Sequence, residues 1–387
     1  MRITDVNVTH HQASAWGDFC DREAELHLVT AMAIYPRYKH PISTWRAPEG
    51  MCVVEIETDE GFTGAGWCED YCEATSRMVE HHLAHFLIGA DPTDRTVLWD
   101  QMFRASIPYG RKGAALYGIS ALDIALWDLA GKSCNQPVYQ LLGGKVRDSI
   151  PVYASHLHFE NEEDFCAEAA DYAARGYRAM KMRFRWGPAD GLEGMNRNVD
   201  LVKMLRQTVG DSIDLMGDAY MGWTVEYAKR MTRKLAPFDL KWIEEPLLPD
   251  DLQGYIELTR SSAVPIAAGE HEFTRYGFDL LIRNKAVNII QFDMGRVGGF
   301  TEAQRVCALA TAAGMPVCTH AYGLPTLQFV TAEPACMMAE YFPVPIWMRE
   351  DQPEAGFFDG APAPVNGIVT LSDKPGMGFD LKLPENS

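Results

Sequence analysis

The chain has 387 residues, of which 47% are hydrophobic and 23% charged. This is the balance of a globular protein with material for a large core, not of a disordered chain. A formal charge of −18 and a pI near 5.0 argue against nucleic acid and anionic membrane surfaces as partners, and no apolar run approaches the ~20 residues that span a bilayer.

The opening MRITDVNVTHHQAS lacks the apolar core and small-residue cleavage site of a signal peptide. The nine cysteines are scattered and odd in number, which suits a reducing cytoplasm better than a disulfide framework. Cys68 and Cys72 are not matched by the second pair that a zinc site needs.

In chain order, the first fifty residues mix aromatic and basic side chains (Trp16, Phe19, Tyr35, Tyr38, His40, Trp45, Arg46) with polar ones and show no period. MCVVEIETDEGFTGAGWCE then alternates apolar and polar residues around an Asp-Glu-Gly turn, a hairpin signal. Residues 73–150 read as helical. In ALYGISALDIALWDLAGKSC, Ile119, Leu122, Ile124, Ala125 and Leu129 fall near one face, and Gly131 predicts the C-terminal stop. From residue 150 short apolar strands alternate with helices of about three turns. The strand candidates are PVYASH, YRAMKMRF, DLMGDAY, KWIEEP, PIAAGE, NIIQFDM and PVCTHA, with IWMRE as the eighth. Thr224, Asp251 and Thr301 stand as N-caps of the helices that follow their strands. The fold class is therefore α/β, a (β/α)7-8 TIM-type barrel with an α+β N-terminal domain. Residues 1–140 form that first domain and 141–350 the barrel; 351–387 return to pack on the first domain.

Asp218, Glu244 and Glu270 end their apolar runs at equal steps of 26 residues (218 to 244 and 244 to 270). In a strand–helix repeat this puts three carboxylates on one rim of successive parallel strands. They repel one another unless something positive lies between them, and an all-oxygen donor set favours Mg²⁺, with Mn²⁺ as the alternative ion. Glu245 points the opposite way if its strand stays extended. Reading all the strand ends adds Lys181 with Arg183, Asp293, His320 and Glu340, and catalytic residues of barrels sit at these ends. Asp293 and His320 end adjacent strands, so the carboxylate can fix the imidazole tautomer and make it a general base. On the opposite side Lys181 has the chemistry for acid, base or electrostatic work, whereas the Arg183 guanidinium cannot be a base. One base facing cations favours elimination over racemisation.

The same residues carry a resemblance to the enolase superfamily, specifically its mandelate racemase subgroup, whose sites join a Lys or His base to Mg²⁺. It rests on VVEIETDEGFTGAG, SALDIALWDLAGK, PVYQLLGG, AMKMRF, DLMGDAY, KWIEEP, AAGEHE, QFDMGRVGG, THAYG and the closing PVNGIV and DKPGMGFDL. The resemblance implies a capping domain with a substrate-selecting lid, Mg²⁺ on Asp218, Glu244 and Glu270, and the Asp293–His320 dyad as base. Glu340 is then a protonated acid that hydrogen-bonds the enolate, and Lys181 is the first lysine of the subgroup's Lys-x-Lys motif, with Arg183 replacing the second. Tyr220 stands where many relatives have Asn, and with Arg183, His271 and the lid's Arg46 it is a candidate substrate contact. RWGPADG, APFDLKWIEE and GEHE resemble the acid-sugar dehydratases of the L-rhamnonate dehydratase type, although Cys20 and Ile42 fall near the expected lid His and Arg. The implied activity is a cytoplasmic, homo-oligomeric hydro-lyase turning a small anionic sugar acid into a 2-keto-3-deoxy acid. The rivals are an epimerase, racemase or cycloisomerase on the same fold, a retro-aldolase using Lys181, and a non-catalytic metal-binding scaffold.

Overall fold

The computed structural model describes residues 1–12, 27–39, 41–321, 323–343, 358–359 and 362–381. Strand β1 (Ile3–Gln12), β2 (Glu49–Thr58) and β3 (Thr63–Tyr71) form an antiparallel sheet in that order. The expected hairpin is β2–β3, with Cys52 opposite Cys68. Helices α1 (Ala74–His81), α2 (Arg95–Ser106), α3 (Ala114–Ser133) and the short α4 (Val138–Leu141) follow.

Helix α3 is apolar nearly all round, and Ala115, Leu116 and every residue from Gly118 to Gly131 are buried. Such a helix belongs inside a protein or a membrane. Here one side packs on the sheet through Leu122, Ala125 and Leu129, and Ile124 and Trp127 join the core of the barrel. Gly131 does not stop the helix, which runs on to Ser133. A Cβ at Gly131 would lie 2.7 Å from the Cα of Gly376, so this glycine admits the C-terminal segment instead. Asp128 fastens that segment by accepting the amide of Met377 (2.8 Å), and its other oxygen accepts the amide of Ala65 on β3 (2.9 Å).

The barrel begins at β4 (Ile150–Leu157) and continues as α5 (Glu162–Ala174), β5 (Ala179–Arg183), α6 (Gly191–Val209), β6 (Asp214–Asp218), α7 (Val225–Leu235) and β7 (Leu240–Glu244). It goes on through α8 (Leu252–Ser261), β8 (Ile266–Ala268), α9 (Thr274–Arg283), β9 (Ile289–Ile290), α10 (Gly299–Ala312), β10 (Val317–Thr319), α11 (Leu324–Ala332) and β11 (Cys336–Tyr341). The eight parallel strands run in sequence order, and β11 closes on β4. The eighth strand is thus Cys336–Tyr341; IWMRE, expected in that place, lies outside the described residues, as do Trp16, Phe19, Cys20 and His40.

Tyr153, Ala179, Met216, Trp242, Ala267, Ile289 and Cys318, from seven of the strands, fill the barrel interior. Thr224 and Asp251 cap α7 and α8 by accepting the amides of Tyr227 and Gly254. Thr301 caps nothing: it is the third residue of α10. In the C-terminal segment Ile368–Val369 pairs antiparallel with β4, and Phe379 packs edge-on against Trp67 of β3 (5.4 Å between centroids).

Leu122 is wholly buried in the hydrophobic core of the N-terminal domain. Leu122→Ala is expected to cost about 2–5 kcal/mol of stability, read as a lowered urea midpoint. Val365→Ala, at a position 71% exposed, is expected to change stability by less than about 0.5 kcal/mol.

Candidate active site at the barrel mouth

Register places the first functional side chains. Arg183 pairs with Asp218 across β5 and β6, and Asp218 with Glu244 across β6 and β7. In-register residues of neighbouring strands face the same way, so all three point into the barrel mouth, and Lys181, two residues before Arg183, lies one layer deeper. Lys181, Asp218, Glu244, Glu270, Asp293, His320 and Glu340 are all buried.

Lys181 is the hub of one half of the site. Its Nζ is ion-paired to Glu244, lies 2.7 Å from Glu340 and reaches Asp218 at 3.7 Å. Burial works to lower its pKa, but Glu244 and Glu340 prevail and raise it, so the side chain is an ammonium. Arg183 is ion-paired to Asp218. Glu244 is held further by Trp242 Nε1 (3.0 Å) and Gln291 Nε2 (2.8 Å), both donating to Oε2. Trp242 and Gln291 escaped notice in the sequence, although each sits two residues before a singled-out carboxylate and so shares its strand face.

His320 is the hub of the other half. Its Nδ1 donates to Asp293 Oδ2 (2.7 Å), and Asp293 Oδ1 accepts the amide of Gly295 (2.6 Å). The ring's Nε2 is thereby turned toward Glu270 (3.2 Å) and Glu340 (4.0 Å). Burial opposes the charged ring, yet Glu270, the Asp293 hydrogen bond and Glu340 outweigh it and raise the pKa to about 9. Asp293 and His320 are thus joined by a hydrogen bond across adjacent strand ends.

Glu340 differs from expectation in its protonation. Burial pushes its pKa up, but Lys181 and then His320 pull it down to about 2, and Oε2 also accepts the amide of Ala321 (2.7 Å). It is a carboxylate held by cations, not a protonated acid.

Glu245 also departs from expectation. Its φ is +37°, so the chain leaves the strand there and the side chain turns toward the same rim as Glu244. His271 Nδ1 donates to Glu245 (2.7 Å) and lies 3.5 Å from Glu270. Among the described residues, Glu245, Glu270 and His271 are the group whose ligand atoms converge within 4.8 Å. The expected triad shares the pocket differently: Asp218 and Glu244 are drawn to Arg183 and Lys181, and Glu270 to His320 and Arg296.

The fit of this donor set to a divalent cation rests on Asp218, Glu244 and Glu270. All three offer only oxygen from successive strands, and Asp218 Oδ2 accepts no hydrogen bond of proper geometry despite its ion pairs. The set suits a hard ion rather than zinc.

Of the candidate substrate contacts, Tyr220 stands against His271 (5.6 Å between centroids), with its amide donating to Asp218 Oδ1 (2.8 Å). Arg46 donates through Nε to Glu49 (2.6 Å). Arg296 was missed in the sequence, being in a loop without period. It is buried, donates to Glu69 of β3 at 2.8 and 3.0 Å, and lies 3.4 Å from Glu270. It thus joins the two domains at the edge of the site.

Residues 30–143 match the mandelate racemase/muconate lactonizing enzyme N-terminal domain, and residues 164–386 the enolase C-terminal domain-like family. An L-rhamnonate dehydratase of Saccharopolyspora erythraea is 39% identical over 359 residues, covering 92% of this chain and 89% of its own. The crystal structure of rhamnonate dehydratase from Gibberella zeae complexed with Mg superposes with a TM-score of 0.88 at 31% identity, over 98% of this chain and 94% of that one. A racemase from Streptomyces coelicolor A3(2) with bound magnesium gives 0.82 at 31% identity, over 98% and 97%. With both domain models matched along the chain, the protein belongs to the mandelate racemase/muconate lactonizing enzyme family of the enolase superfamily.

Proposed function

We propose that the protein is a Mg²⁺-dependent acid-sugar dehydratase that removes the proton alpha to a carboxylate and expels the 3-hydroxyl, yielding a 2-keto-3-deoxy acid. The observation that carries this reading is His320, fixed by Asp293 at 2.7 Å and turned through Nε2 into a pocket of carboxylates. The relatives named L-rhamnonate dehydratase support the reaction class and make L-rhamnonate the first substrate to test.

Asp218, Glu244 and Glu270 are the residues that would hold the ion. Bound there, Mg²⁺ would supply positive charge that favours ionisation next to the substrate carboxylate. In its neutral form His320 would take the C2 proton on Nε2 while Asp293 holds the Nδ1–H and stabilises the imidazolium that results. The protonated ring then gives the proton to the departing 3-hydroxyl, so water leaves and one residue serves both steps. The enol left behind tautomerises to the 2-keto acid. Glu340 remains ionised beside Lys181 and supports the positive ring, and Tyr220, His271 and Arg46 face the substrate's polar edge.

Racemisation is the second reading, since a racemase shares the fold. It needs a second base opposite His320. Lys181 is pinned as an ammonium between two carboxylates, and Arg183 keeps its proton. Elimination needs neither.

The direct experiment screens mono- and diacid sugars, L-rhamnonate among them, for 2-keto acid formation with and without Mg²⁺. Turnover is expected with the ion and none after chelation. His320→Asn is expected to lower kcat by about 10²–10⁴-fold while leaving Mg²⁺-dependent thermal stabilisation intact. Near wild-type turnover by that variant would refute the mechanism. Asp218→Asn should instead abolish the thermal stabilisation by Mg²⁺, which for a saturating ligand at a hundred times its Kd is about 2.7 kcal/mol. At half conversion of an active substrate, NMR of the remaining acid is expected to show no C2 epimer; accumulation of that epimer would transfer the assignment to the racemase reading.

A further inference from the structure

The segment from Asp293 to the start of α10 carries the dyad's carboxylate at one end and is gripped from the N-terminal domain at the other. Near Asp293 the chain folds tightly, with the amides of Arg296 and Val297 donating to the Asp293 carbonyl (3.1 and 2.8 Å). Helix α3 then takes hold. The Gly298 amide donates to Ser120 Oγ (2.9 Å), the Thr301 amide to Asp123 Oδ2 (2.9 Å), and Trp127 Nε1 to Thr301 Oγ1 (3.0 Å). Trp99 of α2 donates to the Gly298 carbonyl (2.8 Å).

The first amides of a helix have no partners inside it, and a side chain normally caps them from the preceding residue. Here that residue is Gly298, and the cap comes from the other domain. Gly299 has φ +72°, and a Cβ there would lie 2.5 Å from Asp123 Oδ2, so the glycine is what lets the carboxylate reach the helix end. Ser120 and Asp123 are both fully buried.

We propose that Asp123 and Ser120 are positioning residues for the Asp293–His320 pair: by capping α10 from the N-terminal domain they fix the segment that aims Asp293 at the imidazole. The inference rests on the reading of His320 as the base. Burial lifts the Asp123 carboxyl to about 7, against the opposing Thr301 bonds and the charges of Arg95 and Arg305. An amide, which keeps the accepting oxygen, is therefore the conservative replacement.

The test compares Asp123→Leu, Asp123→Asn and Ser120→Ala in the Mg²⁺-loaded protein, with the best aldonate from the screen. Asp123→Leu is expected to lower kcat at least about tenfold, since a displacement near 1 Å from a distant change can cost about a hundredfold. KM and the Mg²⁺ dissociation constant are expected to hold, and Asp123→Asn to restore kcat. Ser120→Ala, which leaves one amide unbonded, is expected to show the same pattern more mildly and serves if Asp123→Leu does not fold. In an Asp293→Asn background the leucine substitution is expected to cost nothing further, because coupled residues are non-additive. A folded Asp123→Leu with unchanged kcat, or losses that simply add in the double variant, would overturn the positioning role. Wild-type kcat in Asp293→Asn alone would remove the dyad reading and this role with it. No turnover of any aldonate by the wild type would remove the dehydratase reading first, and the role with it.

Discussion

Asp218, Glu244, Glu270, Asp293 and Glu340 crowd the barrel mouth, all buried, with Glu245 on the same rim held by His271. Two like charges 4 Å apart repel by about 4 kcal/mol at the effective dielectric of a protein surface, and burial raises that figure. The site exists only because each carboxylate is matched. Lys181 serves Glu244, Glu340 and Asp218, Arg183 serves Asp218, His320 serves Asp293 and Glu270, and Arg296 serves Glu270. Removing one partner of such a set strands a buried charge, which costs far more than an exposed pair is worth. The chemistry follows from the same matching, since a pocket with this much negative charge attracts a divalent ion and makes an imidazole more basic than it is in water.

The scaffold delivers the charges by register. Consecutive parallel strands carry Arg183, Asp218 and Glu244 side by side, and the packed layer of Tyr153, Met216 and Trp242 beneath them closes the barrel to water from below. Asp293 still bridges His320 in parallel register just past β9, but Arg296 lies in the loop beyond any strand pairing. Their segment is anchored by the N-terminal domain, through Glu69 on β3 and through Ser120 and Asp123 on α3. The apolar helix α3 is therefore both the core of one domain and the anchor of a loop in the other. That double duty explains why Asp123 and Asp128 interrupt its apolar surface, one bound to the barrel and one to the sheet and the C-terminal segment.

Residues whose position depends on strand period were readable without a structure. The equal steps among Asp218, Glu244 and Glu270, and the adjacency of Asp293 and His320, come directly from a repeating strand–helix unit. Local hydrogen bonding was equally readable at Thr224 and Asp251, where a cap binds its own chain three residues on. What escaped depends on events between segments. Thr301 resembles a cap, but α10 begins before it and is capped from α3. Glu245 leaves the pattern because its backbone turns to positive φ. Glu340 resembles a neutral acid until Lys181 is found 2.7 Å away. The eighth strand was sought at IWMRE because Cys336–Tyr341 is half methionine and alanine and lacks the β-branched residues that mark its neighbours.

The asymmetry of the pocket determines what becomes of an enolised substrate. In the proposed mechanism proton transfer is concentrated at His320 Nε2, whereas Lys181 and Arg183 on the opposite wall stay charged. Lys181 is clamped by two carboxylates, so surrendering its proton would leave those charges unmatched in a buried site. Arg183 adds a second permanent cation beside it. In the proposed reaction, a carbon that loses its proton to His320 meets on its other face, among the described residues, only these clamped cations, which disfavours inversion. The proton held on the imidazolium can still leave with a hydroxyl on the neighbouring carbon, on the face from which it came. Loss of water is then the outcome that uses the proton the proposed mechanism leaves on His320.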